Sequence, residues 1–131
     1  MSDFYISELR IFPFGFAPRG WLQCNGQLVT IAEYEPLFAL LGTTYGGDGI
    51  TTFALPDLRG RVPIGVSTTN VQGEIEGGDQ AISSVGGITP KRGLTSTKIS
   101  GTAIPGGSTN RQPALTLNIC IAVSGIFPSR T

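Results

Sequence analysis

The sequence predicts a β-dominated α+β domain with one short helix and an extended β arm rich in glycine, serine and threonine. Three observations lead to this prediction. Apolar and polar residues alternate near both ends of the chain, one short stretch has apolar residues at helical spacing, and the middle of the chain holds no aromatic residue. Alternation with a period of two is typical of strands, and spacings of three and four are typical of a helix. The length of 131 residues fits a single domain.

Strands are expected in two regions near the start of the chain. Over positions 4–9, Phe4 and Ile6 alternate with Tyr5 and Ser7, and this pattern predicts a first strand that continues to Leu9. Positions 21–24 and 27–31 flank the dipeptide Asn25-Gly26, which tolerates the two positive φ angles of a type I′ turn. This pattern predicts a β-hairpin.

One short helix is expected after the predicted hairpin. The apolar residues at helical spacing are Ile31, Tyr34, Leu37, Phe38 and Leu41. Proline is tolerated only in the first turn of a helix, so Pro36 places the start of the helix close by. Gly42 follows the last apolar position and is typical of the residue just after a helix end.

The clearest strand pattern lies near the end of the chain. Apolar residues alternate there with smaller or polar ones, at Leu115, Leu117, Ile119, Ile121 and Val123. Because the other face also carries small residues, we expect a central strand that is covered on both sides.

The whole chain, 1–131, is expected to form one domain with a head, made of residues 1–65 and 112–131, and an assembly arm over residues 66–111. The arm has too few large apolar side chains for a core of its own, so we expect it to be supported by another copy of the chain. Residues 1–80 carry a net charge of 4 − 9 = −5, and residues 81–131 carry +5. This separation predicts contacts between oppositely charged parts of neighbouring copies, which would set their register.

Eight arm residues are candidates for this assembly. Acidic residues of one copy are expected to face basic residues of another, and two isoleucines are expected to anchor extended strands. These residues are Glu74, Glu76, Asp79, Lys91, Arg92, Lys98, Ile99 and Ile104.

Several classes of function are not expected. The formal net charge is zero, which argues against nucleic-acid binding and against attraction to anionic membranes. The chain has no histidine, and therefore no Ser/His/Asp or Cys/His nucleophile system. It has neither a membrane-spanning apolar run nor a recognisable signal peptide. We expect no enzymatic activity and no cofactor.

Two loop motifs are expected to have structural roles. Gly46, Gly47, Asp48 and Gly49 could bind phosphate or calcium, but they lack the Lys-Ser/Thr ending of a P-loop and the repeated carboxylates of a calcium loop, which favours a turn. A second group, formed by Asp57, Arg59 and Arg61, favours a bidentate ion pair that fixes its loop, with recognition of an acidic ligand as the alternative.

Five other residues have two interpretations each. Trp21 is expected in the core, and the alternative is stacking on a sugar. Cys24 and Cys120 are expected to be small buried hydrophobic residues, with a disulfide between them as the alternative. Glu74 and Glu76 could form a glycosidase-like carboxylate pair, but they have no apolar pocket around them in the sequence, which favours a solvated or intersubunit role.

Several long motifs, in order, resemble the phage tail collar domain family, which includes short tail fibre proteins and bacterial proteins called microcystin-dependent. The motifs are Ile11–Trp21, Cys24–Gln27, Leu37–Gly49, Thr51–Pro63, Gln112-Pro113, Leu117–Ala122 and Gly125–Pro128. The resemblance implies a mixed, β-dominated fold that is used in trimeric phage fibres. Many relatives have histidines in the middle of the chain that can bind a metal. This sequence has none, so we expect no metal site.

The sequence and the resemblance together predict a structural protein that assembles with copies of itself, as a homotrimer or as an extracellular filament. The alternative is a module that binds a carbohydrate or a cell-surface receptor on a phage tail or tail-like particle. An extracellular or virion location is expected in both cases.

Overall fold

The computed structural model describes residues 3–77 and 112–130. The chain divides into two compact units, one formed by Met1–Glu74 with Thr116–Thr131 and the other by Ile75–Leu115. Of the second unit, only residues 75–77 and 112–115 are described. The division into a head and an assembly arm at residue 65 stays a prediction.

The described residues contain five short strands and one helix, which agrees with the predicted β-dominated class. These elements are β1 (Leu9–Phe12), β2 (Trp21–Gln23), β3 (Leu28–Thr30), α1 (Glu35–Leu41), β4 (Thr52–Ala54) and β5 (Asn118–Ala122). The extended β arm expected over residues 66–111 lies mostly outside the described residues.

Strand β5 is the centre of a three-stranded antiparallel sheet with the order β1-β5-β2. Ile121 pairs with Leu9 of β1 on one side and with Leu22 of β2 on the other. The prediction of a central strand is confirmed, but the strand begins at Asn118, later than the alternating pattern suggested.

The hairpin predicted around Asn25-Gly26 is wrong. Strand β2 pairs with β5, and β3 pairs with β4 in a separate two-stranded sheet. Asn25 does not have a positive φ; its carboxamide oxygen accepts a hydrogen bond from the backbone N–H of Gln27 at 3.2 Å. The pairing is set by burial, because Trp21 lies opposite Ala122 and Val29 lies opposite Phe53.

The strand predicted over residues 4–9 is also largely wrong. Ser7 has a φ of 76°, which interrupts an extended backbone, and before it only Tyr5 forms a bridge, to Ile126. The Ser7 N–H donates to the Ala122 carbonyl at 2.9 Å, and the Glu8 carbonyl accepts from the Ala122 N–H at 2.9 Å. The ladder with β5 therefore continues past the start of β1 as a bulge.

The predicted helix is confirmed as α1, with Pro36 in its first turn. It ends at Leu41, and the capping residue Gly42 has a φ of 58° and donates its N–H to the Phe38 carbonyl at 2.8 Å. Leu37 is fully buried and packs into the core together with Phe53.

Two apolar clusters cover opposite faces of the three-stranded sheet, because successive residues of a strand point to opposite sides. Ile121 packs with Leu37, Phe53 and Leu55 on one face. On the other face, the buried residues are Trp21, Cys120 and Ala122, and the partly buried residues around them are Phe4, Phe12 and Ala17. The expectation that Trp21 belongs to the core agrees with its exposed fraction of 6%.

Candidate functional site

The Asp48 carboxylate organises the turn that leads into β4. Its Oδ1 atom accepts hydrogen bonds from the backbone N–H groups of Ile50, Thr51 and Thr52 at 2.8–2.9 Å. Its Oδ2 atom accepts one from the Thr51 hydroxyl at 2.9 Å. These hydrogen bonds stabilise the charged form and hold the pKa of Asp48 well below its usual range. The carboxylate is thus occupied by its own turn.

The glycines before Asp48 bring this turn close to β4. Gly47 has a φ of 92°, and a Cβ atom at this position would lie 2.4 Å from the Phe53 Cα atom. The Gly46 carbonyl accepts from the Ala54 N–H at 3.0 Å, and the Gly49 N–H donates to the Thr52 carbonyl at 2.9 Å. The loop therefore closes the outer edge of β4, which is a structural role.

Asp57 forms a bidentate ion pair with Arg59, as expected. The Arg59 Nε and Nη2 atoms donate to the two carboxylate oxygens at 2.8 Å each. Arg61 Nη1 donates to the Asp57 backbone carbonyl at 2.9 Å. The hydrogen bond from the Arg59 side chain is the largest cause of the lowered pKa of Asp57, and the same pair raises the pKa of Arg59. The group fixes the loop after β4.

The two cysteines are buried free thiols, which fits their interpretation as small hydrophobic residues. Cys24 packs in the cluster around Ile121, and Cys120 packs in the cluster around Trp21, on the opposite face of the sheet. Burial, followed by the neighbouring Cys120, raises the pKa of Cys24 to about 12. Because a disulfide requires Cβ atoms that point towards each other, this arrangement explains why the bridge considered above is absent.

Of the eight candidate assembly residues, two are described. Glu74 and Glu76 are both exposed, and the Glu74 carboxylate accepts a hydrogen bond from the Val71 N–H at 3.1 Å. The other six lie outside the described residues: Asp79, Lys91, Arg92, Lys98, Ile99 and Ile104.

The outer edge of β1 was not anticipated from the sequence. Hydrogen-bonded pairs alternate along an antiparallel ladder, and the Ala122 N–H donates to the Glu8 carbonyl. Arg10 and Phe12 therefore also bond to β5, whereas Leu9 and Ile11 direct their N–H and C=O groups away from it. No described strand lies on that side of β1. The Leu9 and Ile11 side chains are 44% and 59% exposed.

A second unpaired feature lies at residues 62–66. The structure gives the backbone of this segment no hydrogen-bond partner, in contrast to the flanking N–H groups of Arg61 and Ser67. Val62, Ile64 and Val66 are 76%, 59% and 65% exposed. The alternation of these three residues with Pro63 and Gly65 was the sequence signal that could have identified the segment.

The N-terminal loop exposes two phenylalanines. The rings of Phe14 and Phe16 lie 4.7 Å apart between centroids, and Phe14 also contacts Phe12 at 5.2 Å. The Phe16 side chain is 65% exposed. The Gln23 and Asn118 side chains donate hydrogen bonds to the backbone of this loop, at Gly15 and Phe16.

Two other kinds of site are absent from the described part of the chain. Residues 3–77 and 112–130 contain no group of three or more His, Cys, Asp or Glu side chains that could hold a metal ion. The same residues contain no helix that is long and apolar enough to cross a membrane.

Comparison with known proteins gives a family match over part of the chain. The family model described as Phage Tail Collar Domain matches residues 7–63, which include β1 to β4, α1 and the loops around Asp48 and Asp57. No curated protein matches the chain. The collar domain is a structural domain of phage tail fibres, and it implies a tail-associated location. The resemblance inferred from the sequence is confirmed over residues 7–63, which match the model of the phage tail collar domain.

Proposed function

We propose that this chain is a structural subunit that assembles with copies of itself, as a homotrimer or as an extracellular filament. The observation that carries the proposal is an exposed run of apolar side chains at the end of the collar region. These residues are Val62, Ile64, Val66 and Val71, each at least 59% exposed. Exposed apolar side chains that belong to no core cluster are typical of an interaction surface, so a neighbouring copy is the expected cover.

Charge supports the same proposal. The described residues 3–77 and 112–130 carry five basic and eight acidic residues, a balance of 5 − 8 = −3. Residues 78–111 carry four basic residues and one acidic residue, a balance of 4 − 1 = +3. Opposite charges on two parts of one chain favour contacts between copies, with Glu74, Glu76 and Asp79 of one facing Lys91, Arg92 and Lys98 of another.

The test is the mass of the purified protein in solution. Size-exclusion chromatography with light scattering, together with negative-stain electron microscopy, is expected to show a closed oligomer or a filament. A well-folded particle with the 13.7 kDa mass of one chain at all concentrations would overturn the proposal.

A charge-reversal variant tests the electrostatic part separately. Lys91→Glu combined with Arg92→Glu is expected to weaken assembly, because acidic residues would then face Glu74 and Glu76 of the neighbour. Raising the salt concentration should weaken the wild-type assembly in the same direction. An oligomer that is unchanged in both experiments would rule out the electrostatic contribution.

A second candidate function, binding of a cell-surface glycan, is favoured by the exposed Phe14–Phe16 ring pair. Aromatic side chains offer an apolar face on which a sugar ring can stack. A glycan array with the wild type and with Phe16→Ala tests this function. Saturable binding that Phe16→Ala abolishes would support it, and no binding by the wild type would exclude it.

A further inference from the structure

The chain presents two complementary surfaces whose backbones are unpaired among the described residues. The first, the β1 edge, is the outer side of Leu9–Phe12, and the second, the donor segment, is residues 62–66. We propose that the donor segment of one copy adds as a strand to the β1 edge of the next copy. This proposal rests on the proposed self-assembly and names the contact that produces it.

The hydrogen-bonding groups of the two surfaces match. Leu9 and Ile11 present outward N–H and C=O groups at the β1 edge. In an extended donor segment, Val62, Ile64 and Val66 present their N–H and C=O groups on one side, while Pro63, which has no N–H, faces the other. Pro63 also biases Val62 towards extended backbone. The donor segment can therefore pair through the side on which Val62, Ile64 and Val66 present their backbone groups, because every residue on that side has an N–H.

The exposed side chains also match. Strand addition to a sheet edge derives affinity from main-chain hydrogen bonds and specificity from alternate side chains. Leu9 and Ile11 are exposed on the β1 edge, and all three apolar side chains of the donor segment are exposed. Pairing the two would cover apolar surface of both copies and extend the three-stranded sheet by one strand.

Another strand edge is a weaker acceptor. The β3 strand is the outer member of its two-stranded sheet, and its Leu28 side chain is 63% exposed. Its next outward residue is Thr30, so it offers one large apolar side chain where the β1 edge offers two. Leu28 therefore provides a matched control position.

The contact joins two different surfaces and is heterologous. Such a contact closes into a ring when the rotation between copies permits closure and otherwise continues into a filament. In either case, each copy donates one strand and accepts one. Blocking either surface on every copy must break every junction.

Two single variants test this pairing. Ile11→Lys places a charge on the β1 edge, and Ile64→Lys places one in the donor segment, where both native side chains are exposed. Each variant alone is expected to lose assembly and to run at the mass of one chain. The control, Leu28→Lys, adds the same charge to the β3 edge and is expected to assemble as the wild type does.

Mixing the two blocked variants is the decisive step. Ile11→Lys retains an intact donor segment, and Ile64→Lys retains an intact β1 edge. A 1:1 mixture therefore has one functional junction and is expected to form a heterodimer of twice the mass of one chain. Light scattering over a concentration series extending well above the wild-type assembly range measures this. Circular dichroism checks the folding of each variant, and Leu9→Lys and Val66→Lys replace any variant that is unfolded.

The outcomes separate this proposal from the proposed function. A monomeric wild type would overturn self-assembly itself. If the wild type assembles, the strand pairing is overturned by assembly of either blocked variant, by loss of assembly in Leu28→Lys, or by a mixture that stays monomeric throughout the series.

Discussion

The outer edges of β4 and β1 differ in whether their backbone groups have hydrogen-bond partners. At β4, the glycine loop supplies the Gly46 carbonyl and the Gly49 N–H as hydrogen-bond partners, and Asp48 fixes the turn that carries them. At β1, the outward groups of Leu9 and Ile11 have no partner strand among the described residues. Since unpaired strand edges invite pairing with other chains, the β4 edge is protected from association and the β1 edge is available for it.

The difference shows where this domain uses glycine. Only a residue without a Cβ atom allows the loop to approach β4 so closely, because the Cβ position at Gly47 is 2.4 Å from the Phe53 Cα atom and 2.8 Å from the Thr52 carbonyl oxygen. No comparable loop covers β1 within the described part of the chain. One edge is closed by backbone contact, and the other keeps exposed apolar side chains.

The largest effect is expected when the closed edge is opened by Gly47→Ala. The new methyl group would clash with the backbone of Phe53, and the φ of 92° is unfavourable for alanine, so the loop must move away from β4. We expect a loss of about 3 kcal/mol in the free energy of unfolding, measured by urea denaturation.

Gly15→Ala is the matched control for this substitution. Gly15 is in the N-terminal loop, has no heavy atom within 4 Å of its Cβ position and does not have a positive φ. Its replacement is expected to change stability by less than about 0.5 kcal/mol. Equal effects of the two alanine variants would contradict the close contact assigned to Gly47.

The sequence was a good guide where the controlling signals are local. Pro36 and Gly42 mark the ends of α1 because each restricts the backbone at its own position. The turn at Asp48 and the ion pair between Asp57 and Arg59 were also expected, since their partners lie within four residues along the chain.

The sequence was a poor guide where distant segments compete. The dipeptide Asn25-Gly26 fits a hairpin turn, but Trp21 buries against β5 and Val29 against β4, so the strands on either side of the turn separate. The β1 edge could not be predicted, because which N–H groups face outward depends on the bulge at Ser7 and on pairing with β5.

A smaller effect is expected from Asp48→Asn, which weakens the hydrogen bonds of the turn that covers the outer edge of β4 but introduces no steric clash. The lowered pKa of Asp48 means that its ionised form stabilises the folded state. This contribution is complete above the unfolded-state pKa of about 3.9 and is lost as the pH falls below it towards the folded-state value. The measurement compares the thermal unfolding midpoints of Ile64→Lys with and without Asp48→Asn, because Ile64→Lys is expected to prevent assembly. Asp48→Asn should lower the midpoint at pH 7, and the two midpoints should converge in acid.

Thr51→Val provides the control for the titration of Asp48. It removes the hydroxyl that donates to Oδ2 but keeps the three backbone hydrogen bonds to Oδ1. Its midpoint should keep most of the pH dependence below pH 4. Asp57, whose pKa is also lowered, remains in every variant. The dependence of the unfolding midpoint on pH is therefore expected to be weaker in Asp48→Asn but not abolished. If Asp48→Asn left the dependence of the midpoint on pH unchanged, the stabilising role assigned to the Asp48 carboxylate would be contradicted.

The smallest effect on folding is expected at the β1 edge, from Ile11→Thr in a chain that also carries Ile64→Lys. Threonine keeps the β-branched shape that suits a strand, and the Ile11 side chain is already 59% exposed. The free energy of unfolding should therefore change by less than about 0.5 kcal/mol. Ile121→Thr at the buried centre of the same sheet should cost roughly 2 kcal/mol, because it leaves a cavity and buries a hydroxyl. Comparable losses in urea denaturation would mean that Ile11 supports the fold. A near-zero loss at Ile11 combined with failure of Ile11→Lys to assemble would assign its apolar side chain to contact with a second copy.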